Sequence, residues 1–181
     1  MTNRHPPRLT PLPAEEWDDR SRAVLASLIP AARANPDGAG NVLSTLVRHP
    51  DLTEAYLPFN AYLLRGSTLS PRTREVALLR VVYRRDCDYL WVHHLPIARR
   101  AGLNDREIDD IRDGKLADES DQAVLGAVDD LVDRGTLSTP IWAELGRHFT
   151  DNQRMDLVFT IGGYYLLALA VNSFGVEDEE L

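Results

Sequence analysis

Apolar residues along this 181-residue chain recur every three or four positions and not every second one. That is the period of one face of an α-helix. After Pro13, the segment AEEWDDRSRAVLASL places Trp17, Ala23, Val24 and Leu28 on one side. Residues 30–40, PAARANPDGAG, carry no period and read as a loop. Val42 to His49 reads as a short helix closed by Pro50, with Asp51 as the cap of LTEAYLPFNAYLLR and Gly66 as its end. Pro58 inside that pattern lacks an N–H, which predicts a kink or a later start.

The second half is better punctuated. Ser70 followed by Pro71 is a strong start signal for a helix running to about Arg85. The next begins near Asp86 and stops at Gly102. Asn104 with Glu107 predicts a capping box for a short helix ending at Gly114. Residues 119–134 form another, ended by Gly135; Ser138 and Pro140 open the next; Thr150 with Gln153 opens the last, to about Asn172. The β-branched residues fall in no alternating run between turns, so no strand is expected. The expected fold class is all-α, seven to nine helices joined by short loops. Residues 1–13, with four prolines, form an arm that is mobile or lies on the surface. Residues 14–176 form a single helical domain with its core motif at 70–112, and 177–181 an acidic tail.

Composition narrows the function classes. At 44% hydrophobic the chain can bury a real core. Its net charge of −8, with arginines scattered along the chain, excludes a nucleic-acid surface. A single cysteine excludes an intrachain disulfide framework and points to the cytoplasm. The N-terminal residues MTNRHPPRLTPLP have no apolar stretch of the kind a signal peptide needs. The longest apolar run, Tyr164 to Val171, is far short of the ~20 residues that span a bilayer, so no membrane is expected.

The candidate chemistry lies in EVALLRVVYRRDCDYLWVHH, Glu75 to His94. Cys87 comes near a helix N-terminus, whose N–H groups favour a thiolate, as Arg84 and Arg85 would if turned inward; Asp86 and Asp88 oppose this. Its ordinary role would be that of a small buried apolar residue. His94 lies at i+7 from Cys87, with Leu90 and Trp91 at i+3 and i+4, so all four share a face. Otherwise His94 is a core histidine with one hydrogen bond satisfied. Glu75, near the first turn of an apolar helix, either answers the helix N-terminus or is buried opposite His94, where it could move protons or fix the imidazole tautomer. The last helix is apolar nearly all round. Gly162 and Gly163 within it allow close approach of a ligand or another helix, and Tyr164, Tyr165 and Asn172 bring polar tips that satisfy the core or line a pocket. The histidines His5, His49, His93, His94 and His148 lack ligand spacing, so no metal is expected. The apolar surface of the last helix and of 41–65 exceeds what one small domain covers, which predicts an oligomer.

The stretch from Asn41 to Arg112 resembles the carboxymuconolactone decarboxylase and alkylhydroperoxidase D-like superfamily. The alkylhydroperoxidase D pattern of a glutamate, a Cys-x-x-Cys pair and a histidine falls on Glu75, Cys87, Leu90 and His94, with Leu90 in place of the second cysteine. The decarboxylase-type pattern Cys-x-Tyr-Glu-Trp-x-x-His matches at Cys87, Tyr89, Trp91 and His94, with Leu90 again in place of its glutamate. The resemblance implies an all-helical fold assembled as trimers or hexamers, with sites near subunit contacts. It implies Glu75, Cys87 and His94 as the reacting groups; with Tyr89, Leu90 and Trp91 beside them and Tyr164 and Asn172 from the last helix, they are expected around a small-molecule substrate, without a cofactor. A two-cysteine peroxidase cycle needs a resolving thiol, which this chain lacks. Three readings follow: proton transfer on a small organic acid or lactone, a one-cysteine hydroperoxidase, or a helical scaffold without chemistry.

Overall fold

A computed structural model describes residues 6–179. The first five residues of the proline-rich arm and the last two of the acidic tail lie outside them. The described residues are all helical, without a strand. The α-helices are α1 Asp19–Ala23, α2 Pro36–Leu46, α3 Pro50–Arg65, α4 Pro71–Arg84, α5 Asp88–Arg100, α6 Asp105–Asp113, α7 Glu119–Arg134, α8 Thr139–His148 and α9 Asp151–Phe174. Two single 3₁₀ turns, Ala14–Glu16 and Ala31–Arg33, precede α1 and α2. The chain divides into two compact units: Met1–Gly66 with Ala170–Leu181, and Ser67–Leu169.

The first unit is described over 6–66 and 170–179. Its core gathers Trp17, Val24, Leu25, Ala34, Val47 and Leu57. The Trp17 indole N–H donates to the Leu12 carbonyl at 3.0 Å. The arm is held on the surface from Arg8 onward, because the Arg8 and Leu9 N–H groups both donate to the Phe174 carbonyl, at 2.8 and 3.1 Å.

Two expectations in this half are corrected. The stretch 30–40 is not all loop. Asn35 caps α2 by accepting from the Gly38 N–H at 2.9 Å, and Pro36 supplies the first helical position. A glycine at φ 75°, Gly40, then breaks the helix before it resumes. Pro50 likewise starts a helix and does not merely end one. The α3 cap is His49, whose Nδ1 accepts from the Leu52 N–H at 3.2 Å, while Asp51 sits in the first turn. The helix runs on through Pro58, which is exposed.

The second unit is built around α4. Its side chains Val76, Ala77, Leu78, Leu79, Val81 and Val82 are fully buried. α5, α6 and α7 pack against it. Ser70 caps α4, accepting from the Thr73 N–H at 3.0 Å. The Asn104–Glu107 capping box is closed in both directions at 2.9 Å, and Gly114 ends α6 in the left-handed region, φ 73°.

Two arginines, Arg80 buried and Arg72 half-buried, cross-link the unit. Arg80 of α4 grips Asp129 of α7 through Nε and Nη2, both at 2.9 Å, and donates Nη1 to the Ile111 and Arg112 carbonyls that end α6, at 2.9 and 2.7 Å. Arg72 joins Glu107 at 2.6 Å and Asp121 at 2.9 Å. α9 closes the unit with Leu157, Ile161, Tyr164 and Ala168 buried. Its 24 residues reach a mean hydropathy of 1.6 over the most apolar window, enough by length and composition to cross a membrane, although no single run is that long. In this fold it serves as a core helix.

Candidate active site

Three elements of the second unit bring the candidate groups together. α4 carries Glu75, α5 carries Leu90, Trp91 and His94, and α9 carries Tyr164. The turn between α4 and α5 passes through Asp86 at φ 49°, a left-handed conformation that short polar side chains tolerate. The Cys87 N–H then donates to the Val82 carbonyl at 2.9 Å, and the Cys87 carbonyl accepts the Trp91 N–H at 3.0 Å. Cys87 is thus the cap residue of α5, with its side chain turned into the core.

Glu75 is completely buried. Its Oε2 lies 2.9 Å from Nδ1 of His94, itself 8% exposed. Its Oε1 lies 3.4 Å from Nε of Arg74, the residue before it. With Glu75 ionised, the Nδ1–H of His94 donates to it, and the lone pair of the imidazole is placed on Nε2. The Tyr164 ring stands edge-on to the imidazole, 5.5 Å between centroids and 86° between planes. Glu75 and Tyr164 thus hold the imidazole from two sides.

Cys87 is 1% exposed. Burial pushes its thiol up to about 11, with the Leu90 N–H opposing this and Asp88 adding to it. The group at neutral pH is therefore a thiol, and the thiolate favoured by a helix N-terminus is not formed. The neighbouring arginines are engaged elsewhere. Arg84 pairs with Asp129 and Asp133, while Arg85 donates to the Tyr165 hydroxyl at 3.1 Å and lies over its ring. Seven residues of helix separate Cys87 from His94 by about 10 Å along the axis. One turn back from His94 stands Leu90, 5% exposed.

The other candidates divide. Trp91 is buried, tilted against Tyr83 at 5.9 Å, with the Arg112 guanidinium 4.6 Å over its ring. Tyr89 does not join the cluster. It points some 200° around α5 from Cys87 and stacks on His93 at 4.1 Å. Asn172 belongs to the first unit, near the end of α9, and its side chain is exposed. Arg74, Tyr83 and Arg112 were missed by sequence reasoning. Arg74 was signalled only by standing beside Glu75, and Arg112 by nothing local.

The profile of the carboxymuconolactone decarboxylase family matches residues 50–129. A search of curated proteins gives no significant match. Among solved structures, the alkylhydroperoxidase AhpD core of an uncharacterised peroxidase-related protein from Ralstonia eutropha JMP134 superposes with a TM-score of 0.76 at 20% identity, over 97% of this chain and 94% of that one. The debrominase Bmp8 in its apo form gives 0.75 at 15% identity, over 94% and 91%. A protein of unknown function from Agrobacterium tumefaciens, provisionally assigned to AhpD antioxidant defence, gives 0.67 at 19% identity, over 74% and 94%. At these identities the structural likeness speaks for the fold. The segment matched by the family profile, less than half of the chain, contains Glu75, Cys87 and His94, and over it the chain is similar to the carboxymuconolactone decarboxylase family.

Proposed function

We propose that this protein is a cofactor-independent enzyme that moves protons on a small organic acid or lactone. The observation that carries this reading is the fully buried Glu75 carboxylate held 2.9 Å from His94 Nδ1. A carboxylate behind the imidazole fixes the tautomer and offsets the positive charge that forms when Nε2 takes a proton. In an isomerisation, Nε2 removes a proton from one substrate carbon and returns it to another. In a decarboxylation, Nε2 takes the proton of the substrate's carboxyl group, the bond to the carboxyl carbon breaks, carbon dioxide leaves, and Nε2 returns that proton to the carbon left behind. Leu90, Trp91 and Tyr164 provide an apolar wall, which strengthens each electrostatic contact. Cys87, as a neutral thiol, contacts or polarises the substrate. One buried thiol suits a reducing compartment, the cytoplasm.

The competing reading is a one-cysteine hydroperoxidase, in keeping with the solved AhpD-type relatives. Two observations weigh against it. The thiol that would attack peroxide is buried and pushed up to about 11, and the position one turn from His94 holds Leu90. The test runs both chemistries side by side. Lactone acids of the carboxymuconolactone type and β-keto acids are incubated in deuterated water and followed by NMR for deuterium uptake and loss of carbon dioxide. His94→Ala and Glu75→Gln should each slow turnover ~10²-fold or more, and Cys87→Ser less. In parallel, cumene hydroperoxide is supplied with dithiothreitol. Rapid consumption that Cys87→Ser abolishes, with a sulfenic-acid mass on Cys87, would replace the proton-transfer reading. No turnover in either arm would favour a helical scaffold without chemistry.

A further inference from the structure

Arg74 precedes Glu75 on α4, and the structure sets its guanidinium against the buried Glu75–His94 pair. Its side chain is 13% exposed, as withdrawn from water as the arginines that knit the second unit together, Arg80 at 9% and Arg84 at 24%. Arg80 holds a carboxylate at 2.9 Å and Arg84 one at 2.6 Å. Arg74 meets Glu75 through Nε at 3.4 Å, longer than an ordinary hydrogen bond. That carboxylate already serves His94 at 2.9 Å. Withdrawing a cation from water is costly unless it is well paired. The place of Arg74 in the helix adds to the cost. Residues 71–74, the first turn of α4, hold two arginines and no acid at the positive end of the helix dipole. Arg72 is answered there by Glu107 and Asp121.

We propose that Arg74 is the group that selects the substrate: its guanidinium takes the carboxylate of an organic acid and so sets the reacting carbon against Nε2 of His94. This assignment rests on the proton-transfer reading of the Glu75–His94 pair. A chain of net charge −8 repels acids, so a site that takes one needs a cation of its own. A guanidinium suits the task, because its planar fork of N–H groups meets both carboxylate oxygens at once. With Glu75 ionised, Arg74 and Glu75 together carry no net charge. When Nε2 takes a proton the site gains a positive charge, and the carboxylate of the bound acid balances it. The side chains of Arg74 and His94 keep 13% and 11% exposure, while Glu75 and Tyr164 are at 0% and 2%, so an entering ligand meets the cation and the imidazole first. A neutral ester, amide or lactone of the same shape brings no charge to Arg74 and leaves its donors poorly paired, so it is the losing competitor. The substrates are then acids, lactone acids among them, and not neutral lactones.

The test is binding, with turnover as a separate arm. Butyrate, glutarate, benzoate and the amide of each are titrated calorimetrically at neutral pH into the full chain and into His94→Ala, which cannot move the proton. At least one acid should bind both, one per chain, with Kd below about 1 mM, and its amide at least ~10-fold more weakly. Arg74→Gln should weaken that acid ~30-fold or more and leave the amide within about twofold; Arg74→Lys, which keeps the charge and loses the fork, should fall between. Binding of the acid should also move the nitrogen-15 imidazole signal of His94, assigned by its absence from His94→Ala. If Arg74→Gln loses its helical circular-dichroism signal, the acid-to-amide ratio of the wild type and the His94 shift decide. Acids that bind Arg74→Gln as tightly as wild type, amides that bind as well as acids, or a panel in which no acid binds would overturn the inference. Its fate is separable from that of the proton-transfer reading. Acid binding that depends on Arg74, with no turnover, keeps the assignment of Arg74 and removes that reading; turnover of lactones that Arg74→Gln leaves unchanged does the reverse.

Discussion

Burial of the Cys87 thiol couples the stability of the folded chain to pH. Its pKa in the folded protein is raised above the ordinary cysteine value, to about 11. Below about 9, both folded and unfolded chains hold the proton, and the stabilising effect is fully present. Between about 9 and 11, the unfolded chain releases its proton first, so stability falls as pH rises, by on the order of 2–3 kcal/mol. Burial also pushes Tyr56 up, to about 12, which acts in the same direction at higher pH. The cysteine's share is therefore read as a difference: urea unfolding of wild type and Cys87→Ala from pH 8 to 11 should show a steeper decline in the wild type. Parallel curves would mean that the thiol is solvated. Iodoacetamide at pH 8 should label Cys87 far more slowly in the folded chain than in guanidinium chloride. At this scale the sequence was informative about periodicity but not about depth. The spacing of Cys87, Leu90, Trp91 and His94 gave a shared face, and all four are buried. That Cys87 caps α5 with its sulfur in the core depends on the left-handed turn at Asp86, which nothing in DCDY announces.

Arg80 shows how one side chain can tie elements together. It spans α4, the end of α6 and α7 with four hydrogen bonds and is 8% exposed. Arg80→Met leaves two helix-ending carbonyls without this donor and Asp129 paired with Arg84 only, and should cost ~3–5 kcal/mol. Arg80→Lys should recover little, because an ammonium cannot supply the planar fork. Gly114 lies against this knot: at φ 73°, a Cβ there would come 2.9 Å from Arg80 Nη2. Gly114→Ala should lower the melting temperature by several degrees, and the Gly114→Ala, Arg80→Met pair should cost less than the sum of the two. Additive losses would show that the clash is not felt. Capping chemistry made most helix starts in the second unit legible, since Ser70-Pro71 and Asn104 with Glu107 are local signals. The errors came where a proline had two meanings. Pro36 and Pro50 both begin helices, but a proline seen after an apolar run reads as readily as a stop. Arg80 was not legible at all, because an arginine in an apolar helix reveals its partners only when α6 and α7 have folded around it.

For the whole molecule, α9 has two faces. Its inner face supplies Leu157, Ile161, Tyr164 and Ala168 to the core of the second unit and sets Tyr164 against the catalytic imidazole proposed here. Its outer face carries the exposed apolar side chains Met155, Phe159, Leu166 and Leu169. The sequence showed that this helix is apolar nearly all round, but periodicity alone could not say which positions the core would take. A chain ending at Thr150 should lose cooperative thermal unfolding and bind a hydrophobic dye, because the core would lack one wall; a sharp transition in that truncation would show that the remaining helices suffice. The position of α9 in the chain also sets an order of events during synthesis. Helices α4 to α8 leave the ribosome first, but their shared core stays open until the final helix follows. Glu75 and His94 therefore acquire their fixed geometry only late in translation, and a stall or premature stop before Tyr164 yields a chain whose imidazole lacks the ring that stands against it.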